Sequence, residues 1–175
     1  MGEAISQRFF ISSVKWILME SLLRYYGQSA LVALGLIFLS LALGPLAPIS
    51  EPLLYQTRVG VYDLAPPVYL SFSTFVSLLI FIIVTVVLWG SKSIISNVLV
   101  DGSAMALTVL NYVTYFVIWE IWKPLIYPLP FFLVIAYHGV KALQLDWAQI
   151  AIVIILYRLL RYHLRPHRLS EPDPK

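Results

Sequence analysis

The sequence predicts an all-α fold: a polytopic integral membrane helical bundle with four or five transmembrane segments and an N-terminal interfacial amphipathic helix. Apolar and aromatic residues make up 60% of the 175 residues, and charged residues make up only 12%. The mean hydropathy is +0.84. Soluble domains are about one quarter charged, so this few charges cannot cover a water-soluble surface. Two uncharged runs, at residues 29–49 and 68–89, also have the length of a membrane span.

Residues 1–28 are predicted to form the interfacial helix. Its charged residues include Arg8, Lys15, Glu20 and Arg24, and they fall away from one apolar side of the helical wheel. That side contains Phe10, Ile11, Val14, Ile17, Leu18, Leu22 and Tyr25. Such a helix lies in the plane of the membrane interface. The charges also interrupt any signal-peptide core, and the acidic residues argue against the alternative of a mitochondrial transit peptide.

A transmembrane domain is predicted at residues 29–163, with segments at about 29–49, 68–89, 102–120, 129–143 and 147–163. Asp101 stands where an N-cap of the third segment is expected. Asp146 and Gln149 have the spacing of a capping box for the last segment. The apolar parts of the last two segments are shorter than a comfortable span. Both could cross, or one could be a re-entrant arm that is covered by protein.

Basic residues concentrate at the two ends of the chain. Three Lys and Arg residues lie in the first 28 positions and five in residues 157–175, whereas the connectors carry one each. The positive-inside rule then places both termini in the cytoplasm, which favours four crossings and leaves five as the alternative. Arg158, Arg161, Arg165 and Arg168, which lead into a basic tail at 164–175, are predicted to bind anionic lipid or a partner.

A polar stripe is predicted along the third helix. At the helical repeat, five polar residues follow one line together with Ala104: Asn97, Asp101, Thr108, Asn111 and Tyr115. Polar groups at membrane depth are candidates for a substrate or ion path. The alternative is that these side chains hydrogen-bond between packed helices.

Other chemistry is not predicted. The chain has no cysteine, so thiolate sites are excluded, and its net charge of +3 offers no basic face for a nucleic acid. His163 and His167 are four residues apart, but Pro166 between them breaks the helix that would pair them on a metal. A single intramembrane histidine, His138, does not supply the usual pair for a haem. No metal or other cofactor is therefore expected, and no hydrolase, metalloprotease, phosphate-loop or dinucleotide motif is present.

This pattern leads to three hypotheses of function. The first is a non-catalytic structural or accessory subunit of a larger membrane complex, with an energy-transducing assembly as one host. The second is a small oligomeric transporter or channel that is lined by the polar stripe. The third is a lipid-acting membrane enzyme that uses Asp101, Glu120, His138 or the terminal arginines. Membrane lipids and other membrane subunits are the expected partners.

Overall fold

The computed structural model describes residues 2–47, 54–56, 61–91 and 93–163, with side chains at 20, 22–47, 63–91 and 93–160. The described chain is mostly helical, but it also contains strands, so the prediction of an all-α protein is wrong in part. Within the described residues, three helices are long and apolar enough to cross a membrane, and these candidate spans are Leu22–Leu46, Ala65–Leu88 and Ile94–Trp122. The predicted tail, 164–175, lies outside the described residues.

Helix α1 runs without interruption from Gly2 to Leu43. The sequence predicts two elements that meet at Gly27, whereas the structure has one helix of 42 residues, roughly 63 Å long. One glycine inside a helix costs only about 1 kcal/mol relative to alanine, which is too little to end a helix with good helix formers on both sides. The helix ends where Pro45 follows, in a 3-10 turn at Gly44–Leu46.

Two long helices follow a short hairpin of β1 (Leu54–Gln56) and β2 (Val61–Asp63). Helix α2, Ala65–Leu88, begins with prolines in its first turn, where proline needs no backbone hydrogen-bond partner. Helix α3, Ile94–Trp122, begins eight residues before the predicted 102. It ends at Lys123, whose left-handed backbone lets its N–H donate to the Trp119 carbonyl over 2.8 Å.

The predicted fourth membrane segment, 129–143, is wrong, because these residues belong to a three-stranded antiparallel sheet. Its strands are β3 (Leu125–Leu129), β4 (Phe132–Tyr137) and β5 (Val140–Leu145). The prolines at 124, 128 and 130 oppose a helix here. The β4–β5 connection, His138–Gly139, has positive φ at both residues, as a tight hairpin turn requires.

Helix α4, Trp147–His163, occupies the predicted residues and runs antiparallel to α3. Its first turn is level with Asn111 and its last turns are level with Asn97. At 17 residues it is roughly 25 Å long, against roughly 43 Å for α3. The sheet lies beside the part of α3 that extends beyond the start of α4. Strand β3 starts just past the end of α3, and the β3–β4 turn contacts the first turn of α4.

The buried core lies where α2, α3 and α4 meet. It contains Phe81 of α2, Ala104 and Leu107 of α3, and Ala151 of α4. The two alanines are fully buried, and their small side chains allow the helix backbones to approach closely. Around this core, large apolar side chains on all four helices are exposed, as is expected of helices that face lipid.

Candidate functional site

The best-defined polar contact in the bundle is an ion pair between α3 and α4. The Arg158 Nε donates to Asp101 Oδ1 over 2.7 Å. Only 6% of the Asp101 side chain and 17% of the Arg158 side chain are exposed. In such a poorly solvated position each charge needs the other, because an isolated buried charge is costly.

Two further residues complete this contact. The Tyr25 hydroxyl of α1 donates to Asp101 Oδ2 over 2.5 Å. The Arg158 Nη2 donates to the Asn97 side-chain oxygen over 2.8 Å and to the Asn97 carbonyl over 3.4 Å. The carboxylate therefore has a partner on each oxygen. We call Tyr25, Asn97, Asp101 and Arg158 the ion-pair cluster, and it joins α1, α3 and α4.

The predicted role of Asp101 as an N-cap is wrong. Helix α3 begins at Ile94, so Asp101 lies two turns inside it. The helix start is occupied by Ser93, whose side chain makes no capping hydrogen bond. Because Asp101 is not engaged with the start of its own helix, its carboxylate is available to the neighbouring helices.

A close approach of α1 and α3 brings Tyr25 to this carboxylate. A Cβ added at Gly102 would lie 2.7 Å from the Val32 Cγ1 and 2.9 Å from the Ser29 carbonyl oxygen. Ser29 is fully buried, and its hydroxyl donates to the Tyr25 carbonyl over 3.2 Å. The absence of a side chain at 102 therefore sets the distance between the two helices next to Asp101.

A second polar cluster lies where α4 begins. The Asn111 Nδ2 donates to Asp146 Oδ1 over 3.0 Å. The same oxygen accepts the backbone N–H of Ala148 over 3.0 Å and of Gln149 over 3.4 Å. Asp146 is thus the N-cap of α4, as predicted, and it also joins α4 to the middle of α3. We call Asn111 and Asp146, together with Tyr115 one helical turn beyond Asn111, the Asp146 cluster.

Gln149 does not complete the predicted capping box. Its Oε1 accepts the Phe131 N–H over 2.9 Å, and its Nε2 donates to the Leu129 carbonyl over 3.1 Å. The Asp146 N–H in turn donates to the Phe131 carbonyl over 2.9 Å. Asp146 and Gln149 therefore bind the β3–β4 turn to the start of α4. The capping box does not form because backbone groups of the sheet take the place of its partners, and the sequence pattern does not show where the sheet lies.

Thr108 and Tyr115 of the predicted stripe also make contacts within α3. The Thr108 hydroxyl donates to the Ala104 carbonyl of its own helix over 2.8 Å. Tyr115 is buried and packs edge-on against Tyr112, with ring centroids 6.4 Å apart. The structure therefore divides the stripe into two separate clusters that contact neighbouring helices.

Sequence reasoning missed the contact between α2 and α3. The hydroxyls of Thr74 and Thr114 are 2.7 Å apart, and the Thr74 hydroxyl also lies 3.2 Å from the Leu110 carbonyl. Thr114 is off the line of the stripe, so helical periodicity alone did not select it. The available signal was the presence of threonine in both predicted segments, 68–89 and 102–120. Threonine is a common residue at contacts between membrane helices.

The terminal arginines have different surroundings. The Arg158 guanidinium is engaged inside the bundle by Asp101 and Asn97. Arg161 is in α4, but its side chain is outside the described set, and Arg165 and Arg168 lie outside the described residues. Lipid or partner binding by these three arginines stays a prediction.

Two residues considered for catalysis or for a cofactor, Glu120 and His138, lie beyond the buried core, and Lys123, the partner of Glu120, lines the same concavity as His138. Glu120 pairs with Lys123 over 2.8 Å at the end of α3, where both side chains are more than half exposed. His138 is in the β4–β5 turn against Tyr137, beside an open concavity of about 500 Å³. In the part of the chain that the structure describes, no three His, Asp or Glu side chains come together as a metal site would require.

Comparison with known families and proteins was made by sequence and by fold. The chain matches no family model, no curated protein and no solved structure.

Proposed function

We propose that this protein is a non-catalytic structural subunit of a larger membrane complex. The observation that carries the proposal is the sheet of β3, β4 and β5, which presents an apolar face and an open strand edge. The polar clusters inside the bundle support the same conclusion, because their side chains are used to join helices.

One face of the sheet is mostly apolar and largely exposed. The strand register places nine residues on it, eight apolar and one charged: Leu125, Tyr127, Leu129, Phe132, Val134, Ala136, Lys141, Leu143 and Leu145. Leu125 and Leu143 are 61% and 65% exposed, and Tyr127 is 51% exposed. Contiguous apolar surfaces of this kind are typical of sites that contact protein or membrane.

The edge of the sheet favours protein over lipid as the partner. Strand β5 pairs with β4 on one side, and no described strand pairs with its other side. At the opposite edge, β3 contains Pro128, a residue that is found in edge strands because it lacks an N–H. The unpaired groups of β5 can be satisfied by protein backbone, whereas hydrocarbon chains cannot hydrogen-bond to them.

The depth of the sheet strengthens this argument. A hydrocarbon core of about 30 Å covers roughly 20 helical residues. If α3 spans the membrane, this core surrounds a stretch of α3 that lies between the limits 94–114 and 102–122. Asn111 lies inside both ranges. Gln149 and Asp146 hold the β3–β4 turn at the level of Asn111. The end of the sheet at this turn would therefore lie at the depth of the hydrocarbon core.

The arrangement of the ends supports the proposed topology. The contact of Tyr25 with Asp101, and of Arg158 with both Asp101 and Asn97, brings α1, the start of α3 and the end of α4 to one end of the bundle. We propose that this end faces the cytoplasm, with both basic termini on that side. The tail at 164–175 would then bind anionic lipid or a cytoplasmic part of the complex.

Photo-crosslinking in native membranes tests the proposal. A photoreactive amino acid replaces Leu143 on the sheet or, as the matched control, Leu31 on α1; the two leucines are 65% and 69% exposed. Position 143 should give one defined adduct with another protein, and position 31 should give lipid adducts. Lipid adducts alone at both positions would contradict the proposal, because the sheet would then lie on the bilayer.

A further inference from the structure

Among the described side chains, Asp101 and Asp146 are the buried carboxylates, and of these two Asp101 alone has a cation beside it. Asp101 is paired with Arg158. Asp146 is fully buried, and no described Lys, Arg or His nitrogen lies within 4.0 Å of its carboxylate. A buried carboxylate without a positive partner is unfavourable. The start of α4 and the Asn111 amide compensate this charge in part, and they do so through one oxygen of Asp146.

The two oxygens of Asp146 are also unequal. Oδ1 accepts hydrogen bonds from Asn111, Ala148 and Gln149. Oδ2 is buried and has no hydrogen-bond partner among the described residues. Most buried side-chain polar atoms do have a partner, so an exception needs an explanation.

A second unpartnered oxygen belongs to the same cluster. The Tyr115 hydroxyl is buried without a hydrogen-bond partner among the described residues. Tyr115 lies one helical turn beyond Asn111 on the same side of α3. One oxygen of the Asp146 carboxylate and the Tyr115 hydroxyl are therefore both buried without a hydrogen-bond partner among the described residues.

We propose that the Asp146 cluster binds Na⁺ as an exchangeable monovalent cation. One carboxylate balances one positive charge, and carboxylate, hydroxyl and amide oxygens suit a hard cation. The described residues offer no group of three acidic or His ligands that would favour a divalent metal. The positive end of the α4 dipole opposes the bound charge, which keeps the ion weakly held and exchangeable.

The charged and titratable neighbours fit this assignment. Tyr112 and Tyr115 of α3 are the titratable groups that interact with Asp146. From α4 and the sheet the contacts are the neutral Gln149 and backbone groups. No side chain among them carries a competing positive charge. The proposal goes beyond the role as a subunit and does not depend on it.

Carbodiimide labelling of the purified full-length protein in mild detergent tests the site. A hydrophobic carbodiimide adds across a protonated carboxyl group, and the stable product carries the mass of the whole reagent. In sodium-free buffer, mass spectrometry should find the adduct on Asp146. Added Na⁺ should suppress this adduct, and an adduct that Na⁺ does not change would overturn the proposal. No adduct at any pH in sodium-free buffer would overturn the proposal.

Internal controls separate the site from general reactivity. Asp101 should stay unlabelled, because Arg158 and Tyr25 occupy both of its oxygens. Asp146→Asn should lose the adduct. Because that variant also changes the N-cap of α4, Tyr115→Phe is a milder test that leaves the cap intact. It should weaken the effect of Na⁺ on labelling or change the labelling rate, and an unchanged profile would remove Tyr115 from the site.

Discussion

Replacing Arg158 with methionine tests how much the ion-pair cluster stabilises the bundle. Methionine keeps much of the apolar length of arginine and removes its charge and hydrogen bonds. Asp101, whose side chain is only 6% exposed, would then keep the Tyr25 hydroxyl as its remaining partner. We expect Arg158→Met to lower the free energy of unfolding substantially.

The magnitude follows from the burial of the pair. Removing one partner of a buried ion pair costs about 3–5 kcal/mol, because the other charge stays buried without compensation. The 17% exposure of Arg158 and the bond retained from Tyr25 favour the lower end of this range. A loss of about 3 kcal/mol corresponds to roughly a hundredfold change in the unfolding equilibrium. In the double variant Asp101→Asn/Arg158→Met no charge is stranded, so we expect a loss of only about 1 kcal/mol.

Unfolding by dodecyl sulfate in mixed micelles, followed by circular dichroism, measures these differences. Lys123→Met is the matched control, because the Lys123–Glu120 pair is exposed and should change stability by less than about 1 kcal/mol. The reasoning is refuted if Arg158→Met behaves like this control. It is also refuted if the double variant is less stable than Arg158→Met alone.

Three further predictions concern individual contacts between elements. Gly102→Ala should lower the thermal midpoint in detergent, because overpacking at the contact with α1 costs about 1–3 kcal/mol. Gly35→Ala is the control and should not lower the midpoint, because the added Cβ has open space around it. Gln149→Ala should speed amide hydrogen exchange at Phe131, whose N–H loses its acceptor; unchanged exchange would mean that the turn is held by other contacts. Thr74→Val should cost about 0.6 kcal/mol in dodecyl sulfate unfolding, the average for hydrogen bonds between membrane helices, and a loss above about 2 kcal/mol would contradict this interpretation.

The sequence predicts the long helices and the start of α4 because their signals are local. Uncharged runs of spanning length mark α2 and most of the candidate span in α1. Asp146 caps α4 as its spacing indicates, since a cap depends only on residues within one turn. The sequence does not predict an uninterrupted α1, because Gly27 resembles a helix end. Its cost of about 1 kcal/mol is outweighed by the helix formers around it.

The sheet was missed because an apolar run of about 15 residues fits both a short helix and buried strands. The prolines at 128 and 130 argued against a helix, but only pairing between the strands resolves the choice. The polar stripe was found by periodicity, and its members do lie on one helix. The partners Tyr25, Arg158 and Asp146 come from positions 35–76 residues away in the chain, and contacts over such separations have no signal in a single sequence.

The central claim is that this chain is one subunit of a larger membrane complex. Extraction of the native protein in mild detergent, followed by size separation and mass spectrometry of the co-eluting proteins, tests it most directly. We predict a stoichiometric complex with at least one different membrane protein. Elution of the chain alone, as a monomer or as an oligomer of identical copies, would contradict the claim.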